Sequence, residues 1–249
     1  WLNIVIMLLI ILGGIGFLTW EDFYTNKFKF KRYRMQSKVI LITTAILIIA
    51  PAVFFFACDF GNLPAGKRLL ASVFQSVTTR TAGFNTEDLS LMTEAGKAVM
   101  ILLMLIGGSP SSTAGGMKTT TFAVLILNAL ATFRSREDAG AFGRRFDGQV
   151  VKNAATIAMM YFMLFFFGGI TISVYEGLPL LTCLYEAASA VGTVGLTLGI
   201  TPELHIISRL ILIALMYLGR VGGMTLIYAV FSRKNNNGAK MPLEKITVG

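Results

Sequence analysis

This sequence of 249 residues predicts an all-α polytopic membrane protein in which a unit of helix, short re-entrant segment and helix is repeated. Hydrophobic residues make up 55% of the chain and charged residues 14%, and the mean hydropathy is +0.70. These values are typical of an integral membrane protein. The net charge of +9 does not indicate nucleic-acid binding, because the basic residues lie between apolar segments and form no recognised nucleic-acid motif.

The apolar segments and the loops between them predict the topology. Apolar residues dominate five stretches, at roughly 1–20, 38–58, 97–133, 152–175 and 205–231. A span needs about 20 residues, so the third stretch is too long for one straight span and we expect it to break. Basic residues outnumber acidic ones in three segments, at 21–38, 134–152 and 233–245. The positive-inside rule predicts that these segments are cytoplasmic.

One short pattern occurs twice, as VTTRTAGFNT at 77–86 and SAVGTVGLTL at 189–198. Each copy contains Thr-x-Gly and follows a short apolar run that could form a half-spanning helix. Gly83 and Gly195 are 112 residues apart, which is also the interval between Gly107 and Gly219. A re-entrant segment that repeats in register with its flanking helix is typical of a pore.

The backbone of these segments predicts a cation-binding site. Irregular backbone at membrane depth is tolerated only where protein covers it or where it lines water. Glycine permits dihedral angles that let successive carbonyl groups point to one side, and the threonine hydroxyl groups add further oxygen atoms. The predicted ion-binding residues of a selectivity filter are Thr81, Ala82, Gly83, Thr193, Val194 and Gly195. The alternative is that both glycines occupy ordinary turns in short extracellular loops.

A glycine-rich segment, GGSPSSTAGGMK at 107–118, lies in the middle of the overlong third stretch. Glycine and proline break helices, and the small hydroxyl residues suit a polar cavity. We predict a flexible intramembrane loop beneath the filter segments, with a simple kink or cytoplasmic turn as the alternative. The segment is not an ATP-binding P-loop, because the residue directly before its lysine is methionine and not the glycine that this motif requires.

Arg220 lies in the last apolar stretch, where it takes the place of Gly108 under the repeat. An arginine at that depth costs at least about 2.5 to 3.5 kcal/mol unless it faces water or a partner. We predict that it contacts the loop and closes a gate; the alternative is that it extends to the cytoplasmic interface. The predicted gate residues are Gly108, Ser111, Ser112, Thr113, Gly115, Gly116 and Arg220.

Three domains follow from the repeat. Residues 1–37 comprise the last helix of an earlier unit and a cytoplasmic loop, 38–149 a pore unit with a broken second helix, and 150–249 the final pore unit with a cytoplasmic tail. We expect the chain to be the C-terminal portion of a longer protein.

The only histidine is His205, and Cys58 and Cys183 stand apart. The sequence therefore predicts no catalytic site, no cofactor and no metal site beyond the transported ion.

Four motifs in order, VTTRTAGFNT, GGSPSSTAGGMKTTT, SAVGTVGL and LGRVGGMTL, resemble the ion-translocating membrane subunit of Trk/Ktr-type potassium uptake systems, most closely the Ktr type. The resemblance implies four linked units around one pore, with Gly83 and Gly195 as the filter glycines of the third and fourth units. It also implies that the 107–118 segment is the gating loop and that Arg220 faces it. Potassium would be the transported ion, with sodium as a candidate activator.

The resemblance also implies the surroundings of the protein. These are a bacterial plasma membrane that the chain crosses several times, a homodimer to which Pro242–Gly249 contributes, and a ring of cytoplasmic nucleotide-binding RCK-type regulatory subunits. The alternative is a half-size cation channel, or a sodium/potassium transporter subunit, that dimerises to complete its pore. A secondary transporter with broken helices would show substrate coupling and no repeated filter.

Overall fold

The computed structural model describes residues 1–27, 29–136 and 138–221. These residues form nine α-helices: α1 (Leu2–Gly14), α2 (Phe17–Asn26), α3 (Met35–Cys58), α4 (Ala65–Thr78), α5 (Glu94–Leu105), α6 (Thr119–Phe133), α7 (Gly148–Glu176), α8 (Leu180–Val191) and α9 (Ile206–Val221). Three single turns of 3₁₀ helix cover Phe30–Arg32, Leu89–Leu91 and Thr201–Glu203. A small antiparallel hairpin pairs β1 (Gly140–Ala141) with β2 (Arg144–Arg145), with Gly140 opposite Arg145. The architecture is all-α apart from this hairpin, which the sequence did not predict.

Two helices, α3 and α7, are long and apolar enough to cross a membrane on their own. The α1–α2 pair passes the same test only as a bent pair, with an angle of 91° between the helices. The sequence predicted one apolar stretch at roughly 1–20, whereas the structure bends the chain within this stretch, between α1 and α2. Gly16 causes it: its φ of 88° lies in a region that favours glycine and ends the helical path.

The short helices α4 and α8 occupy the two predicted re-entrant runs. Both begin directly after a proline, Pro64 and Pro179 respectively, whose fixed φ suits a helix start and whose missing N–H costs nothing there. α4 packs against α3, and α8 packs against α7, α5 and α9. Each short helix is therefore held by a longer neighbour, and α8 lies at the centre of the packing.

The core that fixes α4 and α8 contains polar contacts as well as apolar side chains. Gln75 of α4 donates its Nε2–H to Met100 Sδ at 3.3 Å, and the hydroxyl group of Tyr185 lies 3.7 Å from the same sulfur. Tyr161 of α7 donates its hydroxyl proton to the carbonyl oxygen of Gly219 at 3.1 Å. These side chains are buried, so the contacts tie together helices that come from both units.

The overlong stretch at 97–133 is broken, as the sequence predicted. Helix α5 ends at Leu105 and α6 begins at Thr119. The ends of the intervening loop are tied, because Gly107 N–H donates to Met117 O at 2.8 Å and Met117 N–H donates to Leu105 O at 3.2 Å. The loop of residues 106–118, called the central loop below, is therefore compact and closed at its base.

The buried carboxylate of Asp22, in α2, attaches this helix to the start of α3. Asp22 accepts hydrogen bonds from the Ser37 hydroxyl group at 2.5 Å and from the Arg34 N–H at 3.0 Å. Its exposed fraction is 3%, and a buried carboxylate requires such partners. The contact fixes the bent α1–α2 pair to the start of α3.

Candidate functional site

The two Thr-x-Gly segments lie side by side. A Cβ atom built on Gly83 would overlap the carbonyl oxygen of Val194 and would lie 3.3 Å from the Cα atom of Gly195. Residues that are 112 positions apart in the sequence thus bring their backbones into direct contact. Only glycine at position 83 permits this approach.

Both segments have the same unusual backbone. Thr81 and Thr193 have φ values of 62° and 51°, and Gly83 and Gly195 have φ values of 75° and 94°. A β-branched residue with positive φ is an outlier, and such strain concentrates at functional sites. Residues that alternate in the sign of φ turn successive peptide groups toward one side.

The hydrogen bonds leave the carbonyl groups of these segments available. Ala82 and Gly83 donate their N–H groups to Thr78 O at 3.2 and 3.3 Å, and Val194 donates its N–H to Ser189 O at 2.8 Å. Among the hydrogen bonds between described residues, none is accepted by the carbonyl oxygens of residues 81–83 or 193–195. The amides point back to the short helices, and the carbonyl oxygens are available as ligands.

Helix dipoles reinforce this polarity. Helix α4 ends at Thr78 and α8 ends at Val191, each within three residues of a strained threonine. The C-terminal end of a helix carries about half of a negative elementary charge. Both short helices therefore direct negative potential toward the two segments, which favours a cation.

Glu186 of α8 anchors the second segment from its far side. It is buried, and its carboxylate accepts hydrogen bonds from the Thr197 hydroxyl group at 2.7 Å, the Leu198 N–H at 2.9 Å and the Thr201 hydroxyl group at 2.8 Å. In the first segment, the hydroxyl group of Thr78 donates to Phe84 O at 2.6 Å. The role of Glu186 is therefore structural.

The central loop packs directly against both strained threonines. A Cβ atom on Gly115 would overlap Oγ1 of Thr193, and a Cβ atom on Gly107 would lie 3.3 Å from Cγ2 of Thr81. Gly115 and Gly107 are both buried. The loop is thus in van der Waals contact with the two segments at once, and glycine allows the close approach.

The far side of the loop is bonded to the bend between α1 and α2. Ser109 N–H donates to Gly14 O at 3.0 Å, and Phe17 N–H donates to Ser111 O at 3.2 Å. Ser112 Oγ donates to Ser109 O at 2.6 Å and tightens the tip of the loop. The loop therefore lies between the Thr-x-Gly segments and the α1–α2 bend.

Two cationic side chains bind neighbouring carbonyl groups of the loop. Arg220 Nη1 donates to Thr113 O at 2.8 Å, and Lys118 Nζ donates to Ala114 O at 2.6 Å. The predicted contact between Arg220 and the loop is present, although the side chain is also exposed. Its role in gating stays a prediction, as do the roles of the other predicted gate residues.

Sequence reasoning did not select Arg80, which the structure brings to the site. Arg80 directly precedes Thr81, its exposed fraction is 6%, and its Nη2 lies 3.4 Å from the carbonyl oxygen of Gly107. Its Nε has no hydrogen-bond partner among the described residues. The available signal was a charge beside Thr-x-Gly where the other repeat has Gly192, because an ionisable residue at membrane depth indicates function.

Two short helices end at adjacent strained returns, and a loop that interrupts the following helix packs beneath them. This arrangement defines the class of polytopic membrane proteins built from repeated helix–pore loop–helix units. The family model described as TrkH, cation transport protein, matches residues 1–238. The chain therefore belongs to the TrkH cation transport family, which confirms the resemblance to Trk/Ktr proteins.

Curated relatives and a solved structure agree with this assignment. The potassium/sodium uptake protein NtpJ of Enterococcus hirae is 38% identical over 100% of this chain and 57% of its own length. The Ktr system potassium uptake protein B of Bacillus subtilis is 34% identical over 99% of this chain and 56% of its own length. The potassium transporter TrkH of Vibrio parahaemolyticus has the same fold, with a TM-score of 0.75 at 18% identity over 92% of this chain and 51% of that chain.

The chain thus spans 57% and 56% of the lengths of these two curated relatives. Their names describe transport and not catalysis, in agreement with the prediction that the chain is not an enzyme. Two predictions lie outside the described residues: the cytoplasmic location of the basic tail, and the dimer contact of residues 242–249 that the resemblance implies.

Proposed function

We propose that the two Thr-x-Gly segments form half of a selectivity filter through which a potassium uptake protein passes K⁺. The observation that carries the proposal is the contact of two segments with the same strained backbone, Thr81–Gly83 against Thr193–Gly195. Their carbonyl oxygens accept no hydrogen bond from the described residues. Such oxygens can replace the water that K⁺ sheds on entering a filter.

Two segments leave half of a coordination ring to be supplied from elsewhere. The remainder of a longer polypeptide supplies it in our preferred arrangement, in which the chain provides the third and fourth of four units. In the alternative arrangement, a second copy of a half-size subunit supplies it. The two differ in the number of Thr-x-Gly segments in the full-length product of the gene: four support the first arrangement and two support the second.

The test of the filter is the substitution Gly83→Ser in the full-length product. Serine at a φ of 75° strains the backbone, and its Cβ atom would displace the Val194 carbonyl group, so we expect K⁺ uptake relative to Na⁺ uptake to fall. Gly177→Ser is the matched control, because Gly177 also has a positive φ, 68°, but lies at the end of α7. An unchanged ion ratio in a well-folded Gly83→Ser protein would contradict the filter assignment.

The central loop is the proposed gate of this pore. It lies against Thr81 and Thr193, and Arg220 bonds Thr113 O, so the loop and a fixed positive charge both stand in the path of a cation. We expect Arg220→Ala to release the loop and to raise K⁺ flux. Arg209→Ala is the control, because Arg209 also belongs to α9 and bonds a carbonyl oxygen, that of Pro202. Unchanged or lower flux in folded Arg220→Ala protein would remove Arg220 from the gate.

The proposed assembly is a homodimer in the bacterial plasma membrane, with the inter-unit loops and the C-terminus in the cytoplasm. Relatives named as Ktr system subunits support a multi-subunit system, and we propose RCK-type nucleotide-binding subunits as the partners. Co-purification of a dimer with a regulatory ring is the expected result.

Sodium as an activator is tested separately, by K⁺ uptake measured with and without Na⁺.

A further inference from the structure

A crevice separate from the Thr-x-Gly site lies between the N-terminal parts of α3, α6 and α7. It encloses about 450 Å³, which falls within the roughly 300–1,000 Å³ of ordinary ligand sites. Val39, Val124, Val150 and Ile157 form an apolar wall. Val150 is 44% exposed, so this wall is open to the surroundings. All three helices belong to the described residues. Helices α3 and α6 come from the first of the two predicted pore units, and α7 comes from the second.

The mouth of the crevice is basic. Arg145 lines it, and the segment 134–152, which contains this residue, has five basic residues against three acidic ones. Arg145 pairs with Asp138 at 3.2 Å, but both side chains are largely exposed, and such a pair contributes little stability. The guanidinium group has five N–H donors and keeps several of them for another anion. The lining carboxylate of Asp147 accepts the N–H of Gln149 at the start of α7 and keeps its negative charge, so the anion contact is assigned to Arg145 and not to the α7 side of the mouth.

The position of the crevice decides what kind of ligand it suits. Helices α3 and α7 are the two described helices that can span a membrane alone, and the crevice lies at their predicted cytoplasmic ends. An acyl chain has access to the apolar wall at this level, and an anionic headgroup has access to the basic mouth. Basic pockets between membrane helices on the cytoplasmic side bind anionic lipid headgroups.

The crevice also touches the central loop. Pro110, in the tip of that loop, forms part of the crevice wall. The same residue meets the α1–α2 bend, because a Cβ atom on Gly16 would overlap the carbonyl oxygen of Pro110. A molecule in the crevice would therefore contact a residue of the loop tip that is also held at this bend.

We propose that this crevice binds one anionic phospholipid, with its phosphate at Arg145 and an acyl chain against Val39, Val124 and Val150, and that the lipid braces Pro110 from outside the pore. The bracing rests on the proposed role of the loop as a gate. The binding itself does not, because it depends only on the crevice and its charge.

The binding is tested by lipid retention in the purified full-length product, measured by native mass spectrometry with phosphatidylglycerol or phosphatidylcholine in the micelles. We expect one tightly held phosphatidylglycerol per protomer, lost in Val150→Trp and retained in Val174→Trp, a matched change at an 81% exposed position near the other end of α7. Arg145→Gln is expected to weaken retention about fivefold, the contribution of one basic residue near an anionic headgroup. Arg144→Gln, a change next to the crevice-lining residue, is expected to have a smaller effect.

Equal retention of phosphatidylglycerol in the two tryptophan variants would overturn the site, and equal retention of the two lipids by the unmodified protein would overturn its preference for an anion. The bracing is tested by K⁺ flux in liposomes, where Val150→Trp is expected to change flux and Val174→Trp is not. Altered retention with unaltered flux would overturn the bracing. Retention does not require ion transport, so failure of the proposed filter would leave this binding measurement intact.

Discussion

The contact between the central loop and the filter segments can be disturbed by a single methyl group. Gly115→Ala adds a Cβ atom that would overlap Oγ1 of Thr193 and lie 3.1 Å from its Cβ atom and 3.2 Å from its Cγ2 atom. Gly115 does not have a positive φ, so alanine introduces no left-handed backbone strain there. The substitution therefore acts on the packing between the loop and Thr193 and on little else.

The expected magnitude follows from the crowding. Insertion of a methyl group into a close-packed site costs roughly 1–3 kcal/mol, and this cost applies only while the loop lies against Thr193. If the loop is the gate, the equilibrium shifts toward the withdrawn loop by about 5- to 150-fold. We expect a corresponding rise in K⁺ or Rb⁺ flux into liposomes that contain the full-length product, at low activity of any regulatory subunit.

Two further variants make this prediction specific. Gly66→Ala is the control, because a Cβ atom at Gly66 in α4 would have no neighbour within 4 Å among the described residues. Thr193→Ala removes Oγ1, the atom that the new methyl group would overlap, and Cγ2, and leaves only Cβ close to it. The double variant should therefore lose most of the effect of Gly115→Ala, as a double-mutant cycle measures. Unchanged or reduced flux in folded Gly115→Ala protein, or full additivity with Thr193→Ala, would refute the contact as a gate.

Three other predictions concern the anchors of the site, and each is measured on the full-length product. Gly83→Ala combines a strained φ with overlap of the Val194 carbonyl group and should lower the free energy of unfolding by about 2–5 kcal/mol. Gly177→Ala is strained only in φ and should lower it by about 1–2 kcal/mol. Equal thermal midpoints in the two variants would contradict the contact of Gly83 with Val194. Glu186→Gln weakens three hydrogen bonds of a buried carboxylate and should lower stability by about 1–3 kcal/mol; a midpoint like that of the unmodified protein would remove Glu186 as an anchor. Arg80→Gln removes a charged hydrogen bond that should contribute about 1.5–3 kcal/mol to the attachment of the loop at Gly107, and it should raise K⁺ flux. Arg80→Lys keeps the charge and should raise the flux less. Equal flux in the unmodified protein and both variants would exclude Arg80 as an anchor of the loop.

The sequence predicted the elements whose signals are local. The break between Leu105 and Thr119 follows from glycine and proline inside an apolar run, and the helices α4 and α8 follow from short apolar runs placed in register by the repeat. The contact of Arg220 with the loop was predictable because an arginine among apolar residues requires a partner. In each case, a strong physical penalty restricts what the chain can do.

The features that the sequence did not predict depend on long-range packing. Gly16 permits the 91° bend, and the central loop, which lies far away in the sequence, holds it through hydrogen bonds with Gly14 and Phe17. The approach of Gly83 to Val194 depends on how two units pack, because a motif gives the conformation of each segment and not the distance between them. The partner of Arg80, the carbonyl oxygen of Gly107 27 residues away, also depends on packing, although the charge beside Thr-x-Gly was visible in the sequence.

The two repeated units hold their Thr-x-Gly segments by different means. In the first, Arg80 reaches toward the carbonyl oxygen of Gly107 and ties the segment to the base of the central loop. In the second, Gly192 occupies the corresponding position, and Glu186 ties the segment to the chain beyond it. Movement of the loop would therefore pull on the first segment through a hydrogen bond and would act on the second through the packing of Gly115 against Thr193 and of Gly116 against Gly192. If the loop gates the pore, the filter half contributed by this chain should respond unequally, with Thr81–Gly83 more closely coupled to the gate than Thr193–Gly195.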